Sequence, residues 1–481
     1  MTFEIPAFSL ALPEMWLLLM ACVVLVVDLF LPGREHAPAF YLAQATLVVA
    51  AWLAFDTQWG IEEVSFNGTY IADSLSAILK IATAGLAFLA FGYSRDYLRQ
   101  RQLLQGEFYL IGLFGVLGMF VMASGHNMLT LYLGLELLSL CLYTLVAYDR
   151  DSWRGSEAAM KYFVLGALSS GMLLYGMSMI YGAAGSLDLA AIAAAAASDD
   201  QGGVLMAFGL TFVFVGVAFK FGAVPFHMWI PDVYQGAPTP STLFVSTAPK
   251  VAAVALFVRL VSDGLGGLWA HWQDMAVILA VASLVVGNLV ALVQTNMKRL
   301  LGYSTISHIG FIFLGFAAAS DEGNAAALFY AITYALTTAG AFGVIILLSR
   351  HGYEAESIDD MKGLIQRHGG FALVMIVLMF SLTGIPPTVG FYAKWLVLQA
   401  AINADLVWVA VVAVITAVIG AFYYLRVLKA VCFDSPEDDT PSLQATTPMR
   451  WMLALNGVAV LAIGLFPDGL VAACRAAFGI A

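Results

Sequence analysis

Residues 204–229 read VLMAFGLTFVFVGVAFKFGAVPFHMW. The part from 204 to 225 is long enough to cross a bilayer, whose hydrocarbon core of about 30 Å takes roughly 20 apolar residues as a helix. It nevertheless contains Lys220, with Pro225 five residues further on. Proline inside a helix removes a backbone hydrogen bond and clashes with the preceding turn. In lipid the carbonyls freed in this way must be met by protein or water, so a break marks a polar cavity. The stretch therefore predicts a membrane helix broken beside a buried cation. A second stretch, LTGIPPTVGFYAKW (382–395), carries the same combination in the opposite order, with Lys394 seven residues after Pro387. A packing kink accounts for a lone proline, but less well for two breaks that each carry a lysine.

The rest of the chain agrees that its solvent is lipid. Of 481 residues, 61% are hydrophobic and 11% charged, where a soluble domain carries about a quarter charged. Mean hydropathy is +0.88. This excludes a secreted domain, a nucleic-acid binder and a disordered scaffold. The net charge of -11 is scattered through loops and forms no single acidic patch. Cys22, Cys141, Cys432 and Cys474 form no CxxC pair, which argues against a metal knuckle or a disulfide framework. The opening segment lacks a basic n-region and a cleavage site, so it reads as a first span rather than a signal peptide.

Fourteen spans are predicted, at 11–31, 38–58, 73–93, 106–124, 127–148, 157–183, 204–225, 241–262, 274–294, 299–320, 324–349, 371–400, 405–430 and 449–472. Their continuous apolar runs lack the period-two alternation of a β-barrel. The expected fold is an all-α polytopic membrane protein. Fourteen basic residues, from Arg34 to Arg450, fall in loops on one side, against Arg475 alone on the other. By the positive-inside rule both termini face away from the cytoplasm. The two broken spans lie five helices apart and so run in opposite directions. That is expected of two five-helix units related by inversion, at 106–262 (helices 4–8) and 274–433 (helices 9–13). Residues 1–105 supply helices 1–3, and 449–481 the last helix.

Six basic residues remain inside spans: Lys80, Lys161, Lys220, Lys250, Arg259 and Lys394. A charge at a helix centre costs about 2.5–3.5 kcal/mol on insertion scales. Glu136, in LGLELLSL (133–140), is a carboxylate that can offset that cost by pairing inside the bundle. Lys80 and Arg259 can snorkel or pair structurally, and Lys161 can act as a stop-transfer charge. Glu136, Lys220, Lys250 and Lys394 are harder to explain so, although ion pairs that merely pin helices remain an alternative. His227 and His308 are either relays, because imidazole titrates near neutrality, or hydrogen-bonded core residues. A free lysine holds its proton too tightly, at a pKa of about 10.4, to relay it near neutral pH. Burial loosens that hold and a carboxylate tightens it. Moving Glu136 would therefore switch how readily a nearby lysine releases a proton.

FKFGAVPFHMWIPDVYQGAPTPSTLFVSTAPKVA (219–252), NLVALVQTNMKRLLGYSTISHIGF (288–311) and GIPPTVGFYAKW (384–395) resemble the antiporter-like membrane subunits of respiratory complex I. LGLELLSL (133–140) and KYFVLGA (161–167) are similar to the same family's fifth and sixth helices. The resemblance covers nearly the whole chain. Lys394 stands where the related subunit M has glutamate, and the chain lacks the long lateral helix of subunit L. The length suits a bacterial inner-membrane protein rather than the shorter animal mitochondrial version.

The resemblance implies a proton pump driven from elsewhere. Glu136 would pair with Lys220 in the input half, Lys250 would link the halves and Lys394 would feed the exit. His227 and His308 would help the connection, and Lys161 would modulate the input. NADH, FMN, iron–sulfur clusters and quinone would be bound by other subunits, with no cofactor or metal in this chain. Expected partners are the other membrane-arm subunits, including subunit M and the small subunits toward the quinone site, and the lipid bilayer, but no nucleic acid. The alternative is an Mrp-type sodium/proton antiporter subunit without a redox partner. A structural spacer of the membrane arm is the third reading.

Overall fold

Long apolar stretches without charge become helices in lipid because a helix satisfies its own backbone. A computed structural model describes residues 6–30, 37–103, 105–197, 203–350, 352–436 and 445–480. Arg34 and the two chain ends, on which part of the orientation argument rests, lie outside the described residues.

In chain order, α1 (Leu12–Leu29) and α2 (Ala37–Gln58) precede a hairpin of β1 (Glu62–Ser65) and β2 (Tyr70–Asp73). The first long series follows as α3 (Ser74–Gln100), α4 (Gly106–Ser124), α5 (Met128–Val146) and α6 (Trp153–Ala184). A short α7 (Leu189–Ala196) leads to α8 (Gly203–Phe221), α9 (Trp229–Gly236), α10 (Thr239–Ser246) and α11 (Ala248–Phe257), the last continued by a π-helical turn over Val258–Asp263. Then come α12 (Trp269–Ala291), α13 (Met297–Ala317), α14 (Asp321–Leu348), α15 (Leu364–Arg367), α16 (Gly369–Thr383), α17 (Val389–Asn403), α18 (Val407–Cys432), α19 (Thr447–Leu465) and α20 (Asp468–Ala476).

Among the described residues, thirteen helical segments are long and apolar enough to cross a membrane. They match thirteen of the fourteen predicted spans. The stretch predicted at 371–400 is instead two 15-residue helices, α16 and α17, separated at Gly384–Thr388. The antiparallel hairpin, with Glu62 opposite Asp73 and Ser65 opposite Tyr70, was not anticipated. Its strands are only four residues long, too short to leave a clear period-two pattern.

Local devices recur between the two halves of the bundle. Asn127 caps α5 by accepting from the Leu129 amide, and Asn296 caps α13 by accepting from Arg299. Ser152 caps α6 at Gly155, and Ser320 caps α14 at Gly323. α8 and α16 each end on a left-handed glycine, Gly222 (φ 85°) and Gly384 (φ 90°), three residues before a cis proline, Pro225 and Pro387. Both glycines close the same C-terminal motif, in which the next amide also turns back. Gly222 and Ala223 donate to the Ala218 carbonyl, and Gly384 and Ile385 to that of Phe380.

α10, α11, α13 and α14 form the buried centre, while α1, α2, α6, α18 and α19 lie at the periphery with exposed apolar faces. No hydrophobic force draws helices together in lipid, so small residues that allow close backbone approach do that work. A β-carbon on Gly134 of α5 would lie 2.9 Å from the Gly118 carbonyl oxygen of α4, and one on Gly176 of α6 would lie 2.7 Å from the Gly209 carbonyl oxygen of α8. Gly171, on the same α6, has open space instead. We expect Gly134→Leu and Gly176→Leu to lower the yield of folded protein in membranes sharply, while Gly171→Ala leaves it near wild type. Equal yields from all three would show that these crossings do not hold the bundle.

Candidate functional site

A helix end leaves its last carbonyls without amide donors and carries a partial negative charge. In this bundle two such ends lie inside the protein, at the C-termini of α8 and α16. At α8, Lys250 reaches across from α11 and donates its Nζ to the Phe221 carbonyl at 2.6 Å and the Lys220 carbonyl at 3.5 Å. At α16, Lys394 folds back from α17 and donates to the carbonyls of Leu382 at 3.1 Å and Thr383 at 2.7 Å. Both pairs of carbonyls stand one and two residues before the left-handed glycine. Each ammonium also lies over an aromatic face, Lys250 at 4.7 Å from the Trp229 ring and Lys394 at 5.2 Å from the Phe311 ring. Lys250 and Lys394 thus fill the same slot from different helices. The mirrored order of lysine and proline had suggested Lys220 as the counterpart of Lys394, and the contacts point to Lys250 instead.

Lys220 is buried on the last turn of α8 and donates to Ser139 Oγ at 3.1 Å. Glu136, three residues before Ser139 on the same face of α5, accepts a hydrogen bond from Ser170 of α6. Ser170 also contacts Tyr132 OH at 3.1 Å. Among the described residues no ion pair joins Glu136 directly to Lys220; Ser139 and Ser170 hold them instead. The two groups share a small cavity with Ser139, Tyr143 and Ser170. The cavity, about 20 Å³, has room for a single water.

His308, at the middle of α13, is buried between two tyrosines. Its Nδ1 lies 2.7 Å from Tyr330 OH and its Nε2 3.0 Å from Tyr424 OH, and Tyr424 OH lies 2.5 Å from Ser304 Oγ. A neutral imidazole donates at one nitrogen and accepts at the other, so this chain has a direction that reverses with the tautomer. His227 sits half-buried in the turn between α8 and α9. Lys161 is half-exposed on α6, bonded to Glu157 Oε1 at 2.9 Å and Asp232 Oδ2 at 3.0 Å. Asp232 lies on α9, outside the spanning helices, and also accepts from Arg299 at 2.9 Å. Burial alone would raise its carboxyl pKa, but the hydrogen bonds and charges of Lys161 and Arg299 outweigh that and lower it.

The two remaining in-span cations pair structurally instead of snorkelling. Lys80 is fully buried, 2.5 Å from Glu14 Oε1, with Gln58, Ser124 and Tyr70 as further partners. Arg259 grips the Asp73 carboxylate at 2.7 Å. Sequence reasoning singled out the charges and histidines but missed Ser139, Ser170, Tyr330, Tyr424 and Asp232. Hydroxyls are common in membrane helices and carry no such signal. Asp232 had one: it lies ten residues after Gly222, as Lys394 lies ten after Gly384.

Many membrane-length helices, with lysines seated on two helix ends inside the bundle, fit the class of antiporter-like membrane subunits. The family model described as "NADH:quinone oxidoreductase/Mrp antiporter, TM" matches residues 125–420. The chain is 62% identical to NADH-quinone oxidoreductase subunit N of Alkalilimnicola ehrlichii, over 99% of this chain and 98% of that one. It is 59% identical to subunit N of Halorhodospira halophila over the full length of both. A chain of respiratory complex I from Thermus thermophilus superposes with a TM-score of 0.83 at 34% identity, covering 97% of this chain and all of that one. The Mrp complex from Dietzia sp. gives the same TM-score at 20% identity, covering 98% and 97%, a likeness of fold alone. The chain belongs to the subunit N family of NADH-quinone oxidoreductase, a multisubunit translocase.

The slot around Lys394 is tight. A β-carbon on Gly384 would lie 2.9 Å from Lys394 Cδ, whereas one on Gly185, also left-handed at φ 69°, meets nothing within 4 Å. Gly384→Ala should therefore lower the melting temperature of the detergent-solubilised protein more than Gly185→Ala does. Equal shifts would mean that backbone strain alone, of the order of 1 kcal/mol, accounts for both.

Proposed function

We propose that this chain carries protons across the bacterial inner membrane, through a buried relay driven by electron transfer in other subunits. The observation that carries the reading is the seating of Lys250 and Lys394 on the freed carbonyls of two broken helices. An ammonium in that place is stabilised by backbone dipoles rather than locked to a carboxylate, so it can exchange its proton when the surroundings shift. Glu136 and Lys220 form the input, separated by Ser139 and a cavity the size of one water. Lys250 links the halves, His308 and its tyrosines continue the line with His227 beside the first break, and Lys394 serves the exit. Lys161 modulates the input side.

Residues 106–262 and 274–433 act in this reading as two inverted repeats, supported by the paired Asn and Ser caps and the paired glycine–proline breaks. Counting α16 and α17 as one crossing makes fourteen, with both termini periplasmic. NADH, FMN, iron–sulfur clusters and quinone belong to other subunits. The neighbours are the remaining membrane-arm subunits, including subunit M and the small subunits toward the quinone site. The identity of 62% to a subunit N, against 20% to the Mrp chain, favours this assignment over a standalone antiporter.

Lys220→Ala is expected to lower proton pumping and NADH:quinone turnover together, measured per assembled complex, while NADH oxidation by an artificial acceptor persists. Glu136→Ala should act in the same direction and Glu136→Asp more mildly, because it keeps the charge. Ion pairs that only pin helices would instead reduce the amount of complex and leave activity per complex normal. A Lys220→Ala complex that assembles and pumps at the wild-type rate refutes the relay.

A further inference from the structure

The two breaks share one local register, and reading it forward from each left-handed glycine reaches a charged residue at the same count. Ten residues after Gly384 stands Lys394, and ten after Gly222 stands Asp232, of opposite sign. The match is one of sequence count alone: in space Lys250 fills the seat of Lys394, and Asp232 lies on α9 against Lys161 and Arg299. We infer that Asp232 is a positioning residue of the transport path, tying two other elements of the relay, α6 and α13, to its own half-helix α9. The inference rests on the relay reading above.

Its contacts define that role. Oδ2 accepts from Lys161 on α6 at 3.0 Å, and Oδ1 accepts from Arg299 at the start of α13 at 2.9 Å. Arg299 also donates to Gln235 Oε1 at 3.2 Å, and Lys298 caps the end of α9 by donating to the Ala237 carbonyl at 2.8 Å. Glu157, on Lys161 at 2.9 Å, is the other carboxylate in the group. Each tethered element carries a relay partner elsewhere. α6 supplies Ser170, the donor to Glu136, nine residues from Lys161 and so about 13 Å along the axis. α9 begins with Trp229, whose ring underlies the Lys250 ammonium and stacks on Tyr162, next to Lys161, at 4.5 Å and 12°. α13 carries His308.

The side chains of Lys161, Asp232 and Arg299 are 45%, 33% and 31% exposed, and partly exposed ion pairs add little stability. What such a cluster does supply is geometry. Movement of α6 at the input is passed through Asp232 to the floor of Lys250 and to the helix of His308. Removing the carboxylate should therefore leave the protein folded but uncouple these motions.

The test uses the assembled complex in membrane vesicles, with proton uptake and NADH:quinone turnover measured per complex. Asp232→Asn should lower uptake about fivefold, the effect of roughly 1 kcal/mol of lost coupling, and Asp232→Glu should recover to within about twofold. In a Lys161→Met background, Asp232→Asn should add nothing further, since both remove the same tether. Wild-type uptake in Asp232→Asn, a loss confined to the amount of complex, or full additivity with Lys161→Met would each overturn the inference. Should Asp232→Asn not assemble, Arg299→Gln reads the tether from its other arm, and unchanged uptake there overturns it equally. Lys220→Ala run in parallel separates the failures. If it pumps normally the relay itself is wrong, whereas if it stops pumping while Asp232→Asn does not, only the positioning role falls.

Discussion

A backbone carbonyl cannot be left unpaired in a medium without water, and the interior of this protein follows from that constraint. Two helices end inside the bundle, each leaving a pair of carbonyls where lipid cannot serve them. Lysine suits the slot because its long stem reaches from a neighbouring element and its ammonium presents three donors. The positive charge also complements the negative end of the helix. Seated there, Lys250 and Lys394 complete the fold, and in the proposed relay they are also the proton carriers. In the proposed relay, the feature that satisfies the backbone in lipid is the same one that carries the proton.

The halves share devices but not charges. Nine residues after the Asn cap of α5 stands Glu136 and twelve after it Ser139, whereas the same counts from the Asn cap of α13 reach Thr305 and His308. Two residues before the left-handed glycine stands Lys220 in one half and Leu382 in the other. The first half therefore concentrates opposite charges around one small cavity. The second places Lys394 on its break and, on α13, a histidine chained to tyrosine hydroxyls. Such an asymmetry suits a path with a sensitive entry and a conducting remainder, because a charge pair responds to displacement whereas a hydroxyl chain passes protons by reorienting.

Much of this was legible in the sequence for a physical reason. Apolar runs of membrane length and the cost of charges within them are strong signals, so the spans and the cations emerged with little ambiguity. Lys80 and Arg259 were recognised as pairing candidates, but their partners, Glu14 and Asp73, lie 66 and 186 residues away in the chain. No periodicity reports such a contact. The division of the predicted twelfth span was visible as Gly384 and two prolines, yet the carbonyls that Lys394 caps could be assigned only once the chain had folded back. The mirrored sequence order paired Lys220 with Lys394, whereas the seat matching that of Lys394 is filled by Lys250 from another helix, a contact that no sequence order reports.

The separation between Glu136 and Lys220 sharpens the argument about how such a site responds to force. A direct ion pair in a low-dielectric interior is strong and stiff, and it would hold the lysine proton throughout a cycle. Here Ser139 takes the ammonium, Ser170 takes the carboxylate, and room for one water lies between. Ser139 and Glu136 share a face of α5, while Ser170 rides on α6 and Lys220 on α8. A small displacement of α6 against α8 can exchange serine for carboxylate at the ammonium without breaking any backbone bond. In the proposed relay the lysine's hold on its proton would then follow helix position, which is how movement elsewhere in a complex could drive it.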